Sequence, residues 1–305
     1  MLSMSIQRFT GVLTIAFATS CASPEPPVKQ GWMAAIDDGR LLSELSIPGT
    51  HESAALHEPI PGTAKDQDLT LDQQLAAGIR YFDIRCRHLD DAFAIFHGPI
   101  SELQDFDQVT ATMLAFLDSH ATETVVMSIK EESVPENATR TFEQTFATYV
   151  AKAPDRWVLG AAVPTLGDVR GKIVLLRRFP ATSLPLGIDA SMWADNTTFS
   201  IMTPDAVVRV QDAYKVSANA MKWSAITALL AEASTATAPT LFLNYTSGYQ
   251  TKSGLPNTPS VAIEINTDLD TYLADPANAH AHLGVLAMDL VTDYRAAAVA
   301  KTNAP

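Results

Sequence analysis

Residues 124–132 read Thr-Val-Val-Met-Ser-Ile-Lys-Glu-Glu and residues 172–178 read Lys-Ile-Val-Leu-Leu-Arg-Arg, two short runs that are almost wholly apolar and then stop on charged side chains. A strand with one face in water would be polar at every second position, so runs like these belong to parallel strands covered on both faces. The same kind of run recurs as LLSELSI (41–47), IRYFDI (79–84), AFAIF (92–96), AVVRV (206–210), TLFLN (240–244) and GVLAM (284–288). Helical spacing lies between them, in LDQQLAAG (71–78), VTATMLAFLDSH (109–120), RTFEQTFATYVAKA (140–153), WSAITALLAEA (223–233) and NTDLDTYLAD (266–275). This alternation predicts an α/β fold, a (β/α)8 TIM-type barrel that is irregular or incompletely closed. A doubly wound open sheet is the alternative, but no glycine-rich fingerprint follows a strand to support it.

The 305 residues are 47% hydrophobic and 18% charged, with no repeat or biased tract, which excludes disordered, collagenous and coiled-coil chains. A chain of this length buries roughly three-quarters of its unfolded surface, so it needs neither disulfides nor zinc to form a core. The two cysteines, Cys21 and Cys86, fit that expectation. With 21 basic against 34 acidic residues the net charge is −13, which argues against a nucleic-acid partner and weakens long-range attraction to anionic membranes.

Arg8 precedes an apolar stretch from Phe9 to about Ala18 and then small residues, so residues 1–20 read as a secretory signal. Cys21 directly after Ala18-Thr19-Ser20 is similar to a lipoprotein box, so the expected product is exported and either lipid-anchored through Cys21 or cleaved near Ser20 or Ser23. Residues 21–30 read as a linker, and residues 31–305 as the barrel domain. The Asn-x-Thr sequons at Asn137, Asn196 and Asn244 matter only in a eukaryotic secretory route.

The ends of the runs are what lift the reading above fold class. LSI leads into PGTHES, YFDI into Arg85, AIF into His97, VVMSI into Lys130, Glu131 and Glu132, IVLL into Arg177 and Arg178, and VLAM into Asp289. Charges at the end of a buried strand are costly unless they face one another or water, and the C-terminal rim of a barrel is where catalytic groups gather. Two histidines, several arginines, a lysine and carboxylates make an inventory for proton transfer around a phosphate.

At these residues the chain resembles the bacterial phosphatidylinositol-specific phospholipase C family. The motifs LSIPGTHES (45–53), GIRYFDIRCR (78–87), FHGP (96–99), VVMSIKEE (125–132), GKIVLLRR (171–178), VQDAYKV (210–216) and LAMDLV (286–291) occur in the family's order and cover roughly residues 31 to 295. The resemblance implies a phosphodiesterase that makes diacylglycerol and inositol 1,2-cyclic phosphate. It implies His51 as general base, Asp289 as its carboxylate partner, Arg85 as the phosphate-binding cation, Asp83 as the neighbour of Arg85 and His97 as general acid. Lys130, Arg178, Asp212 and Tyr214 match inositol-holding positions, and Glu132 and Trp193 align near that pocket.

One departure is Glu52, where the family has aspartate beside the base. Arg85 points to the metal-independent form, with no cofactor expected, because a cation there repels Ca²⁺. Phosphatidylinositol, or its glycosylated form, at a membrane surface is the expected substrate, and the protein is expected to be a monomer. Residues 54–70 offer Leu56, Ile60 and Pro61 for membrane contact, with Trp32 and Met33 as further candidates. Arg87 reads as either a second pocket cation or a salt-bridge partner, and Cys86 as an unpaired thiol unless Cys21 survives unlipidated. His57, His88, His120, His280 and His282 read as solvated loop residues. A metal-dependent glycerophosphodiesterase and a non-catalytic inositol-phosphate or glycolipid module are the competing functions.

Overall fold

Short parallel strands and helices alternate along residues 30–304, the part of the chain that the computed structural model describes. The expected signal at 1–20, Cys21 and the linker up to residue 29 lie outside the described residues. In order the elements are β1 (Ile47–Thr50), α1 (Leu71–Ala77), β2 (Tyr81–Leu89), β3 (Ala92–His97), β4 (Ile100–Asp105), α2 (Phe106–Ser119), β5 (Val125–Glu131), α3 (Phe142–Val150), β6 (Trp157–Val158) and α4 (Leu166–Val169). There follow β7 (Ile173–Arg178), β8 (Ile188–Asp189), β9 (Thr198–Met202), β10 (Val207–Gln211), α5 (Asn219–Thr235), β11 (Leu241–Tyr245), β12 (Gln250–Lys252), β13 (Leu255–Asn257), α6 (Pro259–Ala274), β14 (Val285–Met288) and α7 (Asp293–Lys301).

The main sheet runs β6–β7–β5–β2–β1–β14–β11–β10–β9, with β8 continuing the edge that β6 begins on β7. Every neighbouring pair from β6 to β10 is parallel, and β9 closes the row antiparallel. This is the expected barrel in its incompletely closed form: one edge is two strands of two residues each and the other is antiparallel. Trp193, just past β8, packs on Phe199 of β9 across that seam.

Side chains alternate across a strand, and here both faces are buried. Phe82, Ile84, Val125, Met127, Ile173, Leu175, Leu286 and Met288 face the helices in one core cluster. Ile47, Tyr81, Val126, Val174, Leu176, Val208, Val210, Leu243, Tyr245, Val285 and Ala287 fill the barrel interior in a second. Each such side chain removed from water contributes roughly 1.5–3 kcal/mol. The helices start on polar caps: Asp105 and Thr141 accept from the Gln108 and Gln144 amides, and Thr292 from the Arg295 amide. Gly78, left-handed at φ 104°, ends α1 and turns the chain into β2.

Several expectations need correction. Leu42–Glu44 is a 3-10 turn, and the strand starts only at Ile47, because Leu42 and Leu45 plug the barrel floor. Residues 92–96 are not a parallel barrel strand. They return antiparallel to β2 through Asp90 and Asp91, both at positive φ, which forms a tight hairpin. Trp32 and Met33 sit at the opposite end from the strand C-termini: Trp32 Nε1 donates to the Gly78 carbonyl and the Met33 amide to Glu123, at the entrances to β2 and β5. They cannot serve a membrane surface at the rim. His88 is fully buried on β2, bonded to Thr145 and packed on Phe93 and Phe142. His282 is half-buried, bonded to the Ala233 carbonyl and edge-on to Phe242. Asn244 is buried within β11, so its sequon is closed by the fold. Cys86 is buried and has no disulfide partner among the described residues. Among the described residues no helix is long and apolar enough to cross a membrane.

Candidate active site

Stepping by two along each strand keeps a side chain on the inner face, and each inner row passes from apolar to ionisable toward the strand's C-terminal end. Ile47 and Gly49 lead to His51, Tyr81 to Asp83 and Arg85, and Val126 and Ser128 to Lys130. Val174 and Leu176 lead to Arg178, Val208 and Val210 to Asp212, and Val285 and Ala287 to Asp289. The register sets these ends side by side, with Arg85 opposite Lys130 and Lys130 opposite Arg178. Gly49 allows β1 to lie close to β2, since a Cβ there would be 2.8 Å from that of Tyr81.

The ends surround a cavity of about 500 Å³ lined by His51, Glu52, Arg85, His97, Lys130, Glu132, Arg178, Trp193, Asp212, Tyr214 and Asp289. Of the expected site residues only Asp83 is not on its wall; it is fully buried beneath Arg85. Arg87, although on the same face of β2, lies beyond the cavity, pairing with Glu136 and covering the Phe96 ring. It is a salt-bridge partner. Glu131, which stands with Lys130 and Glu132 at the end of its run, also lines the cavity, as do Asp66, Asp195, Gly248 and Tyr249, which the sequence reading did not place there. Asp66 and Asp195 sit in loops away from any strand end, so the signal that found the others was missing for them.

His51 Nδ1 lies 2.8 Å from Asp289 Oδ1, and its Nε2 lies 3.0 Å from Arg85 Nη2. Asp289 Oδ2 accepts from the Gly248 amide at 3.2 Å, and its carbonyl from Asn266 at 3.0 Å. The carboxylate thus fixes the tautomer that leaves Nε2 free to accept a proton. His97 Nδ1 donates to the Ala64 carbonyl at 2.8 Å, turning its Nε2 toward Glu52 at 3.7 Å. Arg85 Nη1 is 2.5 Å from Glu52 Oε1, and Arg85 also donates to Asp83 Oδ2 at 3.2 Å. Asp83 takes Arg178 on its other oxygen at 3.2 Å. Glu52 holds a left-handed backbone, φ 39°, a strained conformation for a residue with a side chain.

On the far wall Lys130 donates to Glu132 at 2.9 Å, which in turn accepts the Gly98 amide at 3.1 Å. The Arg178 guanidinium lies 3.7 Å above the Trp193 ring, and Trp193 donates to Asp212 at 2.9 Å. Tyr214 donates to Asp195 at 2.7 Å and faces Tyr249 at 6.1 Å between ring centres.

Burial lowers the His51 pKa below its ordinary value, and Arg85 lowers it further against Asp66, Glu52 and Asp83. His97 moves the other way. Burial opposes its charged form, but Glu52 and Asp66 outweigh that and raise its pKa. Two histidines driven apart in this direction suit a base and an acid respectively. Burial would raise the Asp83 carboxyl, yet Arg85 and Arg178 hold it well below the usual range. Burial pushes Asp289 up to about 7 against the Gly248 amide and Lys222, and Glu52 up to about 7 against Arg85 and His97.

Among the described residues one grouping has the spacing of metal ligands, His51, Glu52 and Asp66, with ligand atoms within 4.8 Å of one another. Arg85 already contacts two of the three, so a divalent cation at that point would face a fixed positive charge.

A family model for the phosphatidylinositol-specific phospholipase C X domain matches residues 42–179. The chain is 32% identical over 304 aligned residues to a 1-phosphatidylinositol phosphodiesterase of Staphylococcus aureus, covering 94% of this chain and 91% of that protein. It is 32% identical to the Listeria monocytogenes protein of the same name, over 89% of this chain and 84% of the other. Among solved structures, a mutant phosphatidylinositol-specific phospholipase C from S. aureus superposes with a TM-score of 0.81 at 30% identity, over 90% of this chain and 98% of that one. The L. monocytogenes phospholipase superposes with 0.75 at 28% identity, over 90% and 99%.

Proposed function

Because the chain belongs to the bacterial phosphatidylinositol-specific phospholipase C family, we propose that it cleaves phosphatidylinositol to diacylglycerol and inositol 1,2-cyclic phosphate. His51 Nε2 takes the proton of the inositol 2-hydroxyl, whose oxygen attacks phosphorus. Arg85 holds the phosphoryl oxygen as charge builds on it. His97, protonated, gives its Nε2 proton to the departing diacylglycerol oxygen. Hydrolysis of the cyclic phosphate exchanges the two roles: His97 takes a proton from water and His51 returns one to the 2-oxygen.

The observation that carries this reading is the orientation of the two imidazoles. Each has its Nδ1 tied to a fixed acceptor, Asp289 or the Ala64 carbonyl, and each turns Nε2 toward the Arg85–Glu52 pair. Lys130, Glu132, Arg178, Asp212, Tyr214 and Trp193 form the wall that would hold the inositol ring, with Asp195 and Tyr249 beside them.

Exposed Ile60, Val134, Leu184 and Met192 lie on loops that follow β1, β5, β7 and β8, and exposed Leu255 opens β13. They supply an apolar rim for peripheral contact with a lipid surface, in place of net positive charge. Export by residues 1–20, with Cys21 available for lipidation, completes the proposal, together with a monomeric state and no nucleic-acid partner.

Phosphorus NMR of phosphatidylinositol in mixed micelles tests the reaction, with and without EDTA and beside His51→Ala. A cyclic inositol phosphate signal that survives EDTA and is lost in the variant is the expected result. Binding of inositol phosphate without turnover would instead make the pocket a recognition module.

A further inference from the structure

Asp66 lies between the two histidines of the site and has no strand-end position of its own. One oxygen, Oδ2, is 3.7 Å from His51 Nδ1 and 3.6 Å from His97 Nδ1. Both distances exceed a hydrogen bond, and this buried oxygen has no hydrogen-bond partner among the described residues. The backbone around it is clamped: the Asp66 amide donates to the Ala55 carbonyl, its carbonyl accepts from Leu290, and Gln67 donates to the carbonyls of His51 and Met288. A carboxylate that is 2% exposed and fixed this firmly, yet bonded to neither ring, acts through its charge, which it carries at neutral pH although burial and Asp289 push its pKa up to about 6.

We propose that Asp66 is a positioning residue shared by both histidines, a counter-ion at matched distance from each that keeps the cost of moving one positive charge between them low. The idea rests on the two-histidine reaction proposed above. In the cleavage step one proton leaves His97 for the diacylglycerol oxygen and one arrives at His51 from the 2-hydroxyl. The site's net charge is unchanged, and the positive charge has crossed from one side of Asp66 to the other. Coulomb energy depends on separation, so 3.6 against 3.7 Å leaves the attraction to Asp66 nearly equal in the two states. The return transfer in cyclic phosphate hydrolysis gains the same balance. Arg85 and Glu52 also act on both rings, Arg85 lowering and Glu52 raising each pKa, but Asp66 is the charge set at matched distance from the same nitrogen of each. Asp289 faces His51 from β14, and Arg85, with Asp83 behind it, faces His51 from β2. Tyr245 meets the His51 ring edge from β11, and Glu52 is the carboxylate nearest His97 Nε2.

The test is Asp66→Asn, read by histidine side-chain NMR titration without substrate and by the pH–rate profiles of both steps. Loss of the shared charge lowers both histidine pKa values, so the whole bell moves to lower pH, by up to about one unit, equivalent to a tenfold change in the protonation equilibrium. Cleavage and cyclic phosphate hydrolysis should fall by similar factors. An unmoved bell, or a shift at one histidine alone, overturns the proposal. So does failure of both Asp66→Asn and Asp66→Ser to fold, which would make the residue part of the frame. Inactive wild-type protein would instead sink the reaction itself, while the titration would still report on Asp66.

Discussion

Arg80 and Arg85 lie five residues apart on one stretch of chain and meet opposite ends of the barrel. At the floor Arg80 is saturated. It donates to Glu123 through Nε at 2.9 Å, to the carbonyls of Leu75 and Ile79 at 2.9 and 2.7 Å, and to that of Gln30, with Phe116 stacked 4.4 Å away. Glu123 is completed by the Met33 amide. At the rim Arg85 is shared among Glu52, Asp83, Glu132 and His51, and its neighbours Asp66 Oδ2 and Arg178 Nε are buried without a hydrogen-bond partner. The same residue types thus make a finished structural ion pair at one end and an unfinished constellation at the other. Buried polar groups left short of partners are what a substrate with phosphoryl and hydroxyl oxygens can complete.

The sharpest way to break this contrast is to perturb each arginine. Arg85→Lys keeps a charge between Glu52 and Asp83 but loses the planar fork, so kcat should drop by about 10²–10³-fold with the melting temperature little changed. Arg80→Ala should do the reverse, costing about 3–5 kcal/mol in denaturant unfolding because Glu123 is left buried and unpaired, with kcat of the folded fraction retained. Equal losses of activity in both would erase the distinction. A smaller effect is expected from Glu52→Asp. Its carboxylate withdraws by about one bond from Arg85 and His97, so kcat falls by roughly tenfold to a hundredfold, and the basic limb moves to lower pH as His97 loses support. At the bottom of the scale, Arg87→Gln removes a half-exposed pair with Glu136 and should change stability by less than about 1 kcal/mol and activity not at all. An activity loss there would mean that the cavity extends past the β2–β3 hairpin.

Much of the site was legible because parallel strands buried on both faces leave few places for a charge. His51, Arg85, Lys130, Arg178 and Asp289 each stand at the end of an apolar run, and each lines the cavity. Where an apolar run was not a strand, as at Leu42–Glu44, or turned back as a hairpin, as at Ala92–His97, hydrophobicity gave the burial but not the geometry. His88 misled for the converse reason: a polar residue beside a motif reads as solvent-facing until a partner such as Thr145 is brought to it by the fold.

Sequence by itself determined which residues share a face, because alternation along a strand is local: Asp83 and Arg85 are neighbours on any straight strand. Tertiary structure alone decided what faces them from elsewhere in the chain. His51 meets Asp289 only because β1 pairs with β14, 238 residues apart. Asp66 reaches both histidines only because its loop is pinned to Ala55 and Leu290. Contacts of that kind are set by strand order and loop closure, which no local pattern encodes.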